Sequence, residues 1–231
     1  MAADPQAAAG AEVLHRLDVA AGATVVDAGC GSGRVTELLL ERHPDVTVVA
    51  LDASPSMLAA AGDRLARFGG RVVLRQADLG KAWPLDGPAD AVVSTSTFHW
   101  VLDHDRLFGH VFAALRPGGA LVAQCGGHGS LRAVLATAAS RGVAVEGRNT
   151  YATAADTIDR LAAAGFVDVW VWLQPEPVAF PTREALAAYL ADSALAPYDG
   201  GVAAAAGVAA ALPAPVADFV RLNVLARRAA P

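Results

Sequence analysis

The run Val25-Val-Asp-Ala-Gly-Cys-Gly-Ser-Gly-Arg-Val-Thr36 constrains this chain more than any other stretch, because it joins a buried strand to a helix through a glycine-rich turn. Thr24 to Ala28 is a β-branched, apolar segment carrying one acid, Asp27, and Arg34 to Arg42 places leucines at helical spacing. Gly29, Gly31 and Gly33 lie between them. Glycines at such a turn admit positive φ and let a ligand approach main-chain N–H groups without meeting a Cβ. In open α/β sheets the crevice beyond the carboxyl ends of the strands is where ligands bind. A dinucleotide fingerprint, G-x-G-x-x-G, needs its third glycine at position 34, and Arg34 stands there.

Further strand ends repeat the pattern of an apolar run closed by an acid. Val46 to Leu51 leads to Asp52, within the roughly 20-residue interval expected of a ribose-binding carboxylate. Ser54-Pro55 then opens a helix with an N-cap residue followed by proline at the first helical position. Arg71 to Gln76 is a third strand, leading to Ala77-Asp78-Leu79, and Ala89 to Ser94 is a fourth. A helix from Asp105 to Leu115 is ended by Arg116-Pro-Gly-Gly119, which turns the chain into the strand Ala120 to Cys125. An acid at one strand end alone reads equally well as a surface residue. Acids at three successive strand ends read as a site.

The motif around Asp27 resembles the first motif of the class I S-adenosylmethionine-dependent methyltransferases, (V/L)-D-(A/L/V)-G-(C/T)-G-x-G. Asp52-Ala-Ser-Pro-Ser-Met57-Leu58 is similar to the D-x-S-x-x-M-L segment of that family, and the L-R-P-G-G-x-L-V pattern at residues 115–122 is another of its features. The resemblance spans roughly residues 11 to 173. It implies a Rossmann-like seven-stranded sheet in the order 3-2-1-4-5-7-6, the seventh strand antiparallel, with helices on both faces. It also implies S-adenosyl-L-methionine as cofactor and S-adenosyl-L-homocysteine as product. The glycine turn, with Asp27, Gly29, Cys30, Gly31 and Gly33, would lie against the methionine and ribose parts of the cofactor. Asp52 and Ala53 would meet the ribose, and Met57 the adenine face, unless Met57 is ordinary helix packing. Ala77, Asp78 and Leu79 would hold the adenine edge, and Ser94 would close the site from the fourth strand.

Within that class, Phe98-His-Trp-Val-Leu-Asp-His104 resembles the F-x-W-x-x-D-H block of trans-aconitate methyltransferase-like enzymes, which esterify a carboxylate. His99 and Trp100 are the candidate acceptor residues there. A histidine changes charge near neutrality, so His99 suits a general base or a donor to the acceptor, and equally a structural histidine beside Trp100. His104 reads as a helix cap or a surface residue. His128, in the Gly126-Gly-His-Gly-Ser130 link, is a second acceptor-side candidate.

Beyond the fifth strand, helices are expected near Leu131 to Ser140 and over Ala154 to Ala164, the latter with Ile158, Leu161 and Ala162 inward. Val167 to Leu173 alternates valine and tryptophan as a sixth strand, and Phe219 to Ala226 is the last. Between them Thr182 caps a helix, Arg183 to Ala191, and a second runs from Val202 to Leu212. Residues 182–212 are thus a helical insertion that either covers the acceptor pocket or packs on the sheet. A single methyltransferase domain over 1–231 is expected. It comprises a shortened N-terminal helix within 1–20 (Gln6 to Leu17), a cofactor-binding core at 21–125 and acceptor-side elements at 126–231. Relatives carry a longer leader that closes over the cofactor, so here either the site is less closed or the insertion supplies the lid.

Composition narrows the partners. Hydrophobic residues make up 54% of the chain, yet no apolar run reaches the length of a bilayer span, and the first ten residues lack a secretory signal. No membrane and a cytoplasmic location are the expectations. A net charge of −5 without a basic cluster larger than Arg227-Arg228 argues against nucleic acid and for a small-molecule methyl acceptor. Two cysteines, Cys30 and Cys125, are too few for a disulfide scaffold, and no cluster has metal-ligand spacing. Two other readings stay open at this point: a non-catalytic S-adenosylmethionine-binding protein, and a NAD-dependent oxidoreductase, which shares the βαβ unit but not the glycine spacing.

Overall fold

The computed structural model describes residues 5–230, with side chains from residue 10 onward. Its centre is a seven-stranded sheet in the order β3-β2-β1-β4-β5-β9-β6, made by β1 (Thr24–Ala28), β2 (Thr47–Asp52), β3 (Val72–Gln76), β4 (Ala89–Thr95), β5 (Leu115–Gly126), β6 (Phe166–Pro175) and β9 (Val220–Arg228). The first five strands are parallel, and β9 runs antiparallel between β5 and β6. This is the expected topology. The last strand is the ninth in chain order because a small two-stranded sheet, β7 (Val178–Ala179) with β8 (Val216–Ala217), brackets the insertion.

Strands covered on both faces read as continuous apolar runs, and β1 and β4 show why. Val25, Ala91 and Val93 point to one core with Leu39, Leu40 and Leu65, while Val26 and Val92 point to another with Phe98, Phe108 and Leu161. The first core is covered by α1 (Pro5–His15), α2 (Arg34–Arg42) and α3 (Pro55–Leu65), and the second by α4 (His104–Ala114) and α6 (Ala154–Ala163). A third core joins α5 (Arg132–Ser140) to the insertion helices α7 (Arg183–Tyr189) and α8 (Gly201–Ala211). Arg183 fixes α8 from outside, its Nη1 donating to the carbonyls of Ala209 and Leu212 at 2.6 and 2.7 Å. Among the described residues no helix is long and apolar enough to cross a membrane.

Helix starts follow their caps. Ser54 accepts from the Met57 amide, Thr153 from Asp156 and Thr182 from Ala185. Four local expectations are corrected. Asp103, not His104, caps α4, accepting from the Arg106 amide at 2.9 Å. His104 is buried as the first helical residue, with Nε2 3.0 Å from the Phe98 carbonyl. Arg116 to Gly119 is a bulge inside β5 rather than a turn before it: Ala89 pairs Leu115 and Ala91 pairs Ala120, so the extra residues loop out against Asp90, which ion-pairs Arg116. On α6 the inward residues are Thr157 and Leu161. Ile158 is 38% exposed and Ala162 is also outside, because the buried stripe runs through Thr157 and Leu161, four residues apart on one face, and leaves both on its flank. Helix α7 ends at Tyr189 and passes into a π turn, Leu190–Ala194.

Candidate active site

The carboxyl ends of β1 to β4 open into a cleft of about 550 Å³, within the ~300–1,000 Å³ range of small-ligand sites. The turn after β1 forms its floor. The amides of Gly29 and Cys30 both donate to the Leu51 carbonyl, at 2.8 and 2.9 Å, which ties the turn to the end of β2. Gly29 has φ +84°, and a Cβ there would lie 2.1 Å from the Thr97 side chain. Gly31, at φ +53°, has nothing within 4 Å of such a Cβ, so its bare backbone faces the cleft.

Asp52 joins the two elements. Its Oδ2 accepts from the Gly31 amide and its Oδ1 from the Ser54 amide, each at 2.8 Å. A carboxylate has about four acceptor sites, so both oxygens keep capacity for a ligand hydroxyl. Asp78 stays anionic: its carboxyl is held below the usual carboxylate range by the Gly80 amide at 3.0 Å and by Lys81 at 3.3 Å. Cys30, Ala53, Met57, Ala77 and Leu79 complete the walls, Met57 half exposed at the rim.

Three residues expected at the cofactor stand outside the lining. Asp27 is buried beneath the turn and accepts from the Thr36 hydroxyl at 2.6 Å. Burial pushes its carboxyl up to about 6, the Thr36 hydrogen bond opposing and the nearby Asp52 charge adding. Ser94 is buried with its hydroxyl on the Ala28 carbonyl at 2.7 Å, pinning β4 to β1. Gly33 packs against Ala61 and Leu65 of α3. These residues shape the cleft from behind.

A second, tighter cavity of about 60 Å³ adjoins the cleft, and Ser96 and Trp100 line both. His99 lies in its wall, buried. Its Nδ1 accepts from the Gly126 amide at 3.2 Å, and its ring stacks on Tyr151 with centroids 5.6 Å apart. Burial, with the charge of Arg221 and a smaller effect of His104, holds its pKa down at about 3. His128 is exposed in the loop after β5 and lines neither cavity; its amide is held by the carbonyl of the buried Ala152, and its side chain stays on the surface.

Arg221, Tyr151, Tyr189 and Ser193 are among the residues of this cavity that sequence reasoning missed. Arg221 is only 4% exposed; its Nε lies 3.3 Å from Glu176 and its guanidinium 4.5 Å from the Phe219 ring. The signal was present: an arginine inside the mostly apolar run Phe219 to Ala226, which Asn223 also interrupts, is expensive to bury unless it is used or paired. Tyr189 and Ser193 come from the end of α7 and its π turn, so the insertion does wall the cavity.

Residues 25–119 match a methyltransferase domain family. The trans-aconitate 2-methyltransferase of Paracidovorax citrulli is 36% identical over 200 residues, 81% of this chain and 74% of the relative. That of Variovorax paradoxus is 38% identical over 73% and 67%. The chain belongs to the class I S-adenosylmethionine-dependent methyltransferases. Solved structures agree in fold: the YcgJ protein of Bacillus subtilis superposes with a TM-score of 0.69 at 12% identity, covering 97% of this chain and 99% of that one. Phosphoethanolamine N-methyltransferase 2 of Haemonchus contortus superposes with a TM-score of 0.63 at 22% identity, covering 96% and 53%. The methyltransferase therefore uses S-adenosylmethionine, and the dinucleotide reading falls away. The donor set of the cleft fits that cofactor: a bare glycine backbone, a strand-end carboxylate with spare acceptor capacity for hydroxyls, and apolar side chains, Met57 and Leu79 among them, in the lining.

Proposed function

We propose that this methyltransferase methylates a carboxylate oxygen of a small organic acid bound between His99, Tyr151 and Arg221. The observation that carries this reading is the buried guanidinium of Arg221 beside the cofactor cleft. Glu176 is its one hydrogen-bonding partner among the described residues, and it meets only Nε. A guanidinium offers five donors in a planar fork suited to a carboxylate, so most of them are left for an anionic acceptor. The naming of several relatives as trans-aconitate 2-methyltransferases supports the same class. The cavity is small as it stands, so such an acid reaches through the Ser96 and Trp100 mouth toward the cleft.

Residues 21–125 then form the cofactor-binding core and 126–231 supply most of the acceptor side. Asp52 accepts from the ribose hydroxyls, Asp78 from the adenine amino group, Met57 covers the ring, and the Gly29 to Gly31 backbone lies along the methionine part. Bound S-adenosylmethionine supplies an activated methyl group on a positive sulfur, so the chain itself has to orient the acceptor and exclude water. Arg221 fixes the acid and Trp100 closes the mouth between the two cavities.

The test is a transfer assay over mono-, di- and tricarboxylates, phenols and amines, with Arg221→Met beside the parent enzyme. Carboxylates should be turned over. The variant should raise acceptor KM about 10- to 150-fold, the equivalent of ~1.5–3 kcal/mol for a charged hydrogen bond, with cofactor affinity unchanged by calorimetry. Transfer to phenols or amines alone would overturn the reading.

A further inference from the structure

His99 presents an unused ring nitrogen to the acceptor cavity, and its partners determine what that nitrogen can do. The Gly126 amide can only donate, so the Nδ1 it meets at 3.2 Å must hold a lone pair. In a neutral imidazole the proton is then on Nε2. Nε2 has no hydrogen-bond partner among the described residues, and the ring lines the cavity.

The arrangement is rigid. Gly126 pairs with Arg221 in the β5–β9 ladder and the next amide, Gly127, donates to the Val220 carbonyl at 2.9 Å, so the strand fixes the direction of the Gly126 amide, and the Tyr151 ring packs closely on it. The carbonyl of His99 is itself held by the Thr150 amide at 2.7 Å. Protonating Nδ1 would set N–H against N–H in a buried place and leave the Gly126 amide unpaired. The ionisable groups around the ring do not favour an imidazolium. Arg221 faces it from β9 and His104 from α4, and the Cys125 and Tyr151 groups stay neutral because burial raises both.

We propose that His99 serves as a fixed Nε2–H hydrogen-bond donor to the acceptor, and not as a general base. This rests on the carboxylate reading above. His99 and Arg221 together hold the acid while one of its oxygens is turned toward the methyl group. The step is then balanced without proton transfer. An oxygen lone pair forms the C–O bond to the methyl carbon, the carbon–sulfur bond breaks with its electron pair going to sulfur, and the anion and the sulfonium become a neutral ester and a neutral thioether.

Two measurements test it. Nitrogen-15 NMR of the imidazole in the whole enzyme should show a neutral ring protonated at Nε2, unchanged from about pH 5.5 to 8.5, where a free histidine titrates near 6.5. In the same range kcat/KM for a carboxylate acceptor should be flat, without the acid limb that a histidine base produces. His99→Gln, which can return a donor near the Nε2 position, should stay within about tenfold of the parent, whereas His99→Phe should raise acceptor KM about 10-fold or more. A base would instead cost both variants alike, roughly 10²- to 10⁴-fold in kcat. An Nδ1–H or titrating ring, or an acid limb near pH 6.5 with a carboxylate acceptor, would overturn the donor role even if neither variant folds. A neutral Nε2–H ring in an enzyme that methylates only phenols or amines would instead overturn the carboxylate reading.

Discussion

The two halves of the active site are built in opposite ways. The cofactor cleft comes from successive strand ends, and much of it is built by backbone: the Gly29 and Cys30 amides on the Leu51 carbonyl and the Gly31 amide on the strand-end carboxylate of Asp52. The acceptor cavity comes from side chains spread from Ser96 to Arg221, converging because β9 runs antiparallel between β5 and β6. A backbone-built site tolerates side-chain drift but not a Cβ in the wrong place. A side-chain-built site can change its ligand by changing one residue.

The largest expected effect lies in the first half. Gly29→Ala forces a left-handed residue against Thr97, and a cost of roughly 2–5 kcal/mol is expected from backbone strain plus overpacking. Gly31→Ala meets no neighbour, so it should lose only about 1–2 kcal/mol of stability. Urea unfolding of the two variants side by side would break the comparison if their order were reversed.

Asp27 gives the next largest effect. Its folded pKa is raised from 3.8 to about 6, so its contribution to stability is fully present below about pH 4 and is lost as pH rises through 6. That is about 3 kcal/mol, at roughly 1.4 kcal/mol per pKa unit. Unfolding free energies from pH 4 to 7 should show that decline in the parent and lose it in Asp27→Asn. An identical pH slope in both would mean that the carboxylate is better solvated than its burial indicates.

Asp52→Ala sharpens the contrast between scaffold and ligand contact. It should weaken S-adenosylmethionine by about 1.5–3 kcal/mol through lost charged hydrogen bonds, read by calorimetry. Unchanged affinity would reduce Asp52 to a clamp for Gly31 and Ser54. The smallest effect belongs to the sheet edge: Trp170 on β6 is 71% exposed, and Trp170→Thr should change stability by no more than about 0.5 kcal/mol. A larger loss in thermal unfolding would show that this edge is packed in solution.

The difference between the halves also explains how much the sequence disclosed. Strand order, the glycine turn and the acids at 52 and 78 were legible because each is a local pattern with a local cause. Asp27, Gly33 and Ser94 were read as ligand contacts, yet the structure sets them behind the cleft, since a motif marks residues needed at a turn without separating those that touch a ligand from those that hold the turn. His104 was read as a cap or a surface residue when Asp103, one position earlier, had the better side chain for capping. His128 lies close in sequence to the acceptor side, but its side chain is exposed and lines neither cavity.

Local sequence determined the cofactor half, because φ > 0 at glycine, strand termination at an acid and helix capping are decided within a few residues. Tertiary structure alone decided the acceptor half. Gly126 and Arg221 are neighbours only through the antiparallel register of β5 and β9. The proton on His99 is assigned by the amide that register holds in place, and no short-range pattern encodes a contact between segments so far apart along the chain.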